Sequence, residues 1–203
     1  MPTLLQLESS PRSASVSTEL TNQFAQAWKT KHPGGTVIQR NTATSALPFV
    51  DEALIGAYYT PADKLTPEQK QHLALSDQLT AELISADTIV IGLPMWNFGI
   101  PASFKAWIDL VARVNKTFRY GTSGPEGLLK PETKVVVITA RGGYYSGESP
   151  AKAFDQQEPY VRTVLGFLGL RDITFIYAEN QGRPDAATAG KALAAAAIVQ
   201  HFA

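Results

Sequence analysis

The chain has 203 residues, 44% of them hydrophobic, which suits one domain spanning 1–203 with a full core and disfavours disorder or a fibrous repeat. Eighteen basic residues balance eighteen acidic ones with no long run of either sign, so neither nucleic acid nor a membrane surface is an expected partner. With no cysteine, disulfides, thiolate metal sites, cysteine-held iron–sulfur clusters and cysteine nucleophiles are excluded.

The amino terminus, MPTLLQLESS, lacks the basic and long apolar regions of a secretion signal. No apolar run approaches the roughly 18 residues of a membrane span, and a cytoplasmic protein is expected.

Thr3 to Leu7 reads as a first buried strand, followed by the polar loop Glu8 to Ser15. Leu20, Phe24 and Trp28 then recur every four residues, the stripe of a core-facing helix. Ser17 suits the N-cap of this helix, Glu19 places an acid in its first turn, and Pro33-Gly34-Gly35 stops it. Thr36 to Arg40 reads as a second strand. Asn41 to Thr66 reads as a long irregular stretch carrying Phe49, Ile55, Tyr58 and Tyr59, and loops of that length are usually functional or interfacial.

Thr66 as N-cap and Pro67 at the first helical position start the next helix, which runs to Ser85. Ile89 to Leu93 has no polar alternation, as expected of a central parallel strand covered on both faces. It leads into Pro94-Met95-Trp96-Asn97-Phe98-Gly99-Ile100-Pro101, after which Phe104, Trp107, Ile108 and Val111 carry helical spacing. Residues 115–132 are turn-rich and could hold a small hairpin. Val135 to Thr139 is another buried strand, with Arg141-Gly142-Gly143 just beyond it. A helix is expected over 151–169, a strand over 173–177 and an alanine-rich helix over 185–202. Strands alternating with helices imply a parallel sheet between helix layers.

In such a sheet a ligand sits beyond the carboxyl ends of the strands. Three loops occupy that edge: Glu8 to Ser17, Pro94 to Pro101 and Ala140 to Tyr145. The first has neither the glycine pattern of dinucleotide folds nor that of nucleotide triphosphatases. It offers the hydroxyls of Ser10, Ser15 and Ser17, the amides of Val16 and Ser17 at a helix start, and the charge of Arg12, a set suited to a phosphate. Taken alone, the same serines serve equally well as an ordinary helix cap. Met95 to Phe98 adds flat apolar bulk and one amide, which a flavin ring requires, although aromatic runs commonly just pack. Gly142-Gly143 lets the main chain approach a ligand closely, or simply makes a turn.

Six segments, Ser10-Pro11-Arg12, Ser15-Val16-Ser17, PMWNFGIP at 94–101, TFRY at 117–120, GPEGL at 124–128 and TARGG at 139–143, resemble the FMN-dependent NADH azoreductase family, in order and over nearly the whole chain. The resemblance implies a flavodoxin-like three-layer α/β sandwich whose five-stranded parallel sheet runs in the order 2-1-3-4-5. It implies bound FMN, reduction of quinones and azo compounds by NADH or NADPH, and a homodimer with active sites at the subunit interface. Carried over by motif, the FMN contacts are Ser10, Ser15, Val16, Ser17, Met95, Trp96, Asn97, Phe98, Ala140, Arg141, Gly142 and Gly143. Phe98 and Tyr120 are expected to flank the acceptor, with nitroaromatic compounds joining quinones and azo dyes as candidates. Ala140 stands where a serine is frequent in similar sequences, and Trp96 where a tyrosine often stands.

The expected cycle is ping-pong, with no side-chain acid or base beyond the flavin itself. The competing reading is a flavodoxin-like FMN electron carrier serving protein partners; such carriers are usually strongly acidic, and this chain is charge-balanced. A phosphatase built on the first loop would need the missing cysteine. His32, His72 and His201 are too scattered for a catalytic triad or a metal site.

Overall fold

A computed structural model describes residues 1–203. In chain order its elements are β1 (Thr3–Glu8), α1 (Val16–Lys31), β2 (Thr36–Asn41), α2 (Glu52–Tyr59), α3 (Pro67–Ser85), β3 (Thr88–Pro94) and α4 (Ala102–Val111). They continue with β4 (Phe118–Gly121), β5 (Gly124–Gly127), β6 (Lys134–Ala140), α5 (Gln157–Phe167), β7 (Ile173–Ala178) and α6 (Ala187–His201). Five strands form one parallel sheet in the order β2-β1-β3-β6-β7, and β4 and β5 form a separate antiparallel hairpin. Counting only the strands of the main sheet, the order is the expected 2-1-3-4-5.

The sheet is covered on both faces, which explains why β3 and β6 are apolar throughout. Leu4, Val90, Val136, Ile138 and Ile176 pack with Leu20, Phe24 and Trp28 of α1 and with Ala194 and Ile198 of α6. Leu5, Leu7, Ile89, Ile91, Val135 and Val137 face the other way, toward α2, α3, α4 and α5. Successive residues of one strand thus serve opposite layers, the two-residue period of a strand.

Three boundaries differ from the sequence reading. Helix α1 starts at Val16, so Ser15 rather than Ser17 is the N-cap: Ser15 is extended, and its Oγ accepts the Thr18 amide at 3.3 Å. The stretch 41–66 is not wholly irregular, because Asp51 accepts the Leu54 amide at 2.8 Å and starts α2, and a short 3-10 turn follows at Ala62–Lys64. The helix expected over 151–169 is broken into a 3-10 turn, Pro150–Phe154, and α5. The break falls at Asp155, which is extended and whose Oδ1 accepts the amides of Gln157 at 2.9 Å and Glu158 at 3.1 Å. Its carboxylate serves the new helix end instead of continuing the old turn.

Candidate cofactor site

Four loops leave the sheet at the carboxyl ends of β1, β3, β6 and β7 and surround a cleft of about 330 Å³. Its lining is Ser10, Arg12, Ala14, Ser15, Val16, Pro94, Met95, Trp96, Ala140, Gly142, Gln181 and Gly182. No carboxylate is among them, and Arg12 is the one charged residue.

The β1 loop ends in the amino terminus of the 16-residue α1. The first intrahelical bond runs from Glu19 to the Ser15 carbonyl, and Ser15 Oγ takes the Thr18 amide, so the amides of Val16 and Ser17 have no acceptor within the chain. Two free N–H groups, the helix dipole and Arg12 together define an anion site. Ser17 is fully buried behind Ser15, with the two hydroxyl oxygens 3.1 Å apart, and its side chain is not part of the cleft wall. Ser10 Oγ accepts the Arg12 amide at 3.3 Å, which shapes the loop.

The β3 loop contains a tight reversal at residues 96–99. Trp96 and Gly99 exchange both main-chain hydrogen bonds, at 3.1 and 3.0 Å, and Asn97 and Phe98 between them have φ of +48° and +69°. Positive φ at both central residues is the signature of a type I′ turn. Met95 and Trp96 line the cleft, while Asn97 and Phe98 sit outside its wall on the exposed turn. The Met95 amide donates to the Ala140 carbonyl at 2.9 Å and ties this loop to the next.

Strand alternation organises the β6 loop. Ala140 and Gly142 line the cleft, whereas the side chain of Arg141 between them points to the opposite face of the sheet. A β-carbon added at Gly142 would meet no chain atom within 4 Å. The glycine therefore leaves room on the cleft side rather than relieving a clash within the chain. Gly143 lies beyond the cleft wall, against the Tyr145 ring.

Arg141 is 1% exposed and sits in an acidic nest. Its Nη2 lies 3.0 Å from Asp155 and 4.0 Å from Glu158, its Nη1 3.8 Å from Glu179, and its guanidinium covers the Tyr177 ring at 4.7 Å. The Asp155 contact has the distance of a hydrogen bond but not the angle, so it is coulombic. Its Nε does make a directed bond, to Gln157 Oε1 at 3.2 Å. Burial, and then the 2.6 Å hydrogen bond donated to Glu158, hold the Tyr177 hydroxyl well above the usual tyrosine range, against the opposing pull of Arg141 and Arg162.

Tyr120 lies on the β4–β5 hairpin, largely exposed and outside the cleft wall. The β7 loop carries no motif that the sequence singles out, yet it supplies Gln181 and Gly182. Its amides follow the β6 loop outward: Gln181 to Arg141, Gly182 to Gly142 and Asn180 to Gly143, at 2.8, 3.0 and 3.0 Å. The available signal was position, since any loop after a parallel strand reaches the same edge.

Residues 2–202 match a family model described as a flavodoxin-like fold, the class that the sheet order and the strand-end cleft define. An FMN-dependent NADH:quinone oxidoreductase of Aromatoleum aromaticum is 50% identical over 178 residues, 87% of each chain. One of Paraburkholderia phymatum with the same description is 48% identical over 98% of each chain. The crystal structure of an azoreductase from Bacillus anthracis superposes with a TM-score of 0.89 at 29% identity, covering 100% of this chain and 99% of that one. The chain belongs to the FMN-dependent NADH:quinone oxidoreductase family of flavodoxin-like proteins.

Replacing Tyr177 by Phe removes the bond to Glu158 and is expected to cost about 1 kcal/mol near neutral pH. The raised folded-state pKa means that wild type resists losing this proton, while the unfolded chain ionises near the ordinary value of 10.0. The wild-type advantage is therefore complete below that pH and is lost as pH rises beyond it. Urea unfolding of both proteins at pH values on either side would reveal the convergence; a gap that widens in alkali contradicts it.

Proposed function

We propose that this protein binds FMN in the strand-end cleft and uses a reduced nicotinamide nucleotide to reduce quinones and azo compounds. The observation that carries the reading is the cleft's donor set: two unpaired helix amides, Ser10, Ser15 and Arg12 at one end, with no carboxylate facing them. That set fits a dianionic phosphomonoester. At the other end Met95 and Trp96 provide a flat apolar wall, and Gly142 leaves open space on the main chain. These features fit an isoalloxazine ring and its polar edge. No helix of the chain is long and apolar enough to cross a membrane.

In this assignment the phosphate is held by Ser10, Ser15 and the amides of Val16 and Ser17. The ring lies against Met95, Trp96, Ala140 and Gly142 of the cleft wall, with Asn97, Phe98, Arg141 and Gly143 of the same two loops bordering it. Gln181 and Gly182 close the cleft from the β7 side. Bound there, FMN supplies acceptance of hydride from NADH or NADPH and two-electron delivery to the acceptor. The protein's part is orientation and exclusion of water; none of the lining side chains is an acid or base positioned for proton transfer. Phe98, half-exposed on its turn, and Tyr120 on the hairpin are the aromatic surfaces offered to a planar acceptor.

Phe49, Tyr59, Tyr120 and Phe154 are all more than half exposed, an expense of apolar surface that a second copy of the chain would cover. The proposed assembly is accordingly a homodimer, for which sedimentation equilibrium is expected to give twice the chain mass.

Protein mixed with FMN is expected to become yellow, with an absorbance band near about 450 nm that NADH bleaches and a simple naphthoquinone restores with turnover. Protein that stays colourless overturns the reading, whereas bound flavin inert to NADH points to an electron carrier. Ser15→Ala should weaken FMN binding about tenfold by removing a hydroxyl from an anion site, measured by quenching of flavin fluorescence. Ser17→Ala, whose hydroxyl is buried behind the wall, should have the smaller effect.

A further inference from the structure

The β3 and β6 loops are joined from behind by the first turn of α5. Between them the main chain makes its last direct link at Met95 to Ala140; beyond it, the carbonyls of Arg141, Gly142 and Gly143 accept amides of the β7 loop instead. From that point the two loops diverge around the cleft. Gln157 bridges the two strand ends just before the divergence. It is fully buried, its Nε2 donates to the Leu93 carbonyl at 3.1 Å, and its Oε1 accepts from Arg141 Nε at 3.2 Å. Leu93 is two residues from Met95, and Arg141 sits between the cleft residues Ala140 and Gly142. The neighbouring Gln156 amide donates to the Phe98 carbonyl at 3.0 Å and holds the type I′ turn.

A buried carboxamide is favourable only when both of its ends are bonded, and an apolar side chain of similar length would fill the same space without that requirement. One end of this amide is bonded to β3 two residues before Met95, the other to the Arg141 side chain of the β6 loop, so it ties together the roots of the two loops that the cofactor must fit between. We infer that Gln157 is a positioning residue that sets the separation of the β3 and β6 loops and so the affinity for FMN. The inference rests on the cofactor reading above and adds to it a residue that never touches the cleft. Asp155 and Arg141 complete the clamp, since Asp155 anchors the start of α5 and pairs with the same guanidinium.

Two substitutions separate positioning from packing. Gln157→Met removes both bonds at nearly constant volume. Gln157→Glu keeps the acceptor for Arg141 but turns the donor facing Leu93 into an acceptor. The measurements are FMN dissociation constant by fluorescence quenching, visible circular dichroism of the bound flavin, and melting temperature of the flavin-free protein. Both variants are expected to bind FMN about tenfold more weakly, as loss of an outer-shell orienting group does elsewhere. The dichroic band should change shape, and the flavin-free melting temperature should fall only modestly, because Gln157→Met leaves Arg141 Nε, and Gln157→Glu the Leu93 carbonyl, without its buried partner. Wild-type FMN affinity in Gln157→Glu overturns the inference, because satisfying Arg141 would then be the residue's whole role. Lowered melting temperature with unchanged affinity and dichroism overturns it in favour of packing. If Gln157→Met does not fold, Gln157→Glu decides alone, and failure of both to fold overturns the inference in favour of packing. Wild-type protein that takes up no FMN sinks the cofactor reading itself, a result distinct from either variant's.

Discussion

The pairing of β3 with β6 is the constraint on which the cleft depends. Leu93 lies opposite Thr139 and Pro94 opposite Ala140, and this register fixes where the two loops leave the sheet. Both strands are buried on both faces, so neither can slide without moving side chains between two packed layers. A slip of one residue would turn Arg141 into the cleft and Ala140 toward α5. The small residues that leave room for a ligand, and the guanidinium that holds the loop, are thus consequences of one register.

The same alternation separates the charges. The carboxylates of Asp155, Glu158 and Glu179 gather around Arg141 on the α5 side, while the cleft on the other side has Arg12 and a helix amino terminus. Burying a guanidinium with carboxylates gives up hydration that their attraction only partly restores, so such a cluster is a poor source of net stability. Here it joins the end of β6, the start of α5 and the end of β7, which an apolar core could not do with direction. An acid facing the anion site would oppose phosphate binding by direct repulsion, and the sheet itself stands between the two.

The strands, their parallel arrangement and three of the four cleft loops were legible because the central strands are short apolar runs bounded by polar or glycine-containing residues. The direction of Arg141 was not. A strand buried on both faces carries no polar alternation, so Val135 to Thr139 gives no sign of which side chains face which layer. Helix α2 was hidden because its eight residues carry no clear helical stripe beyond Leu54 and Ala57, leaving Asp51 at the N-cap and Glu52 in the first turn as the local signals. Gln157 and Gln181 escaped notice for a different reason. Glutamine is ordinarily a surface residue, and nothing local distinguishes one whose amide spans two loops from one that faces solvent.

The turn at Asn97 and Phe98 sets stability against function. Left-handed backbone suits asparagine or glycine; at phenylalanine it costs on the order of 1 kcal/mol or more. The ring gains little in return from the core, being 48% exposed with one aromatic neighbour, Phe154, at 5.6 Å between ring centres. Two main-chain bonds between Trp96 and Gly99 and a third from Gln156 to Phe98 over-determine the turn, which is how such a conformation persists. A glycine there would relax the backbone and an exposed polar residue would cost nothing in burial. What only the aromatic residue provides is a rigid apolar face held at the end of β3 beside Met95 and Trp96. That face is available to a planar molecule arriving from solvent rather than used by the folded chain, as the acceptor side in the proposed function requires.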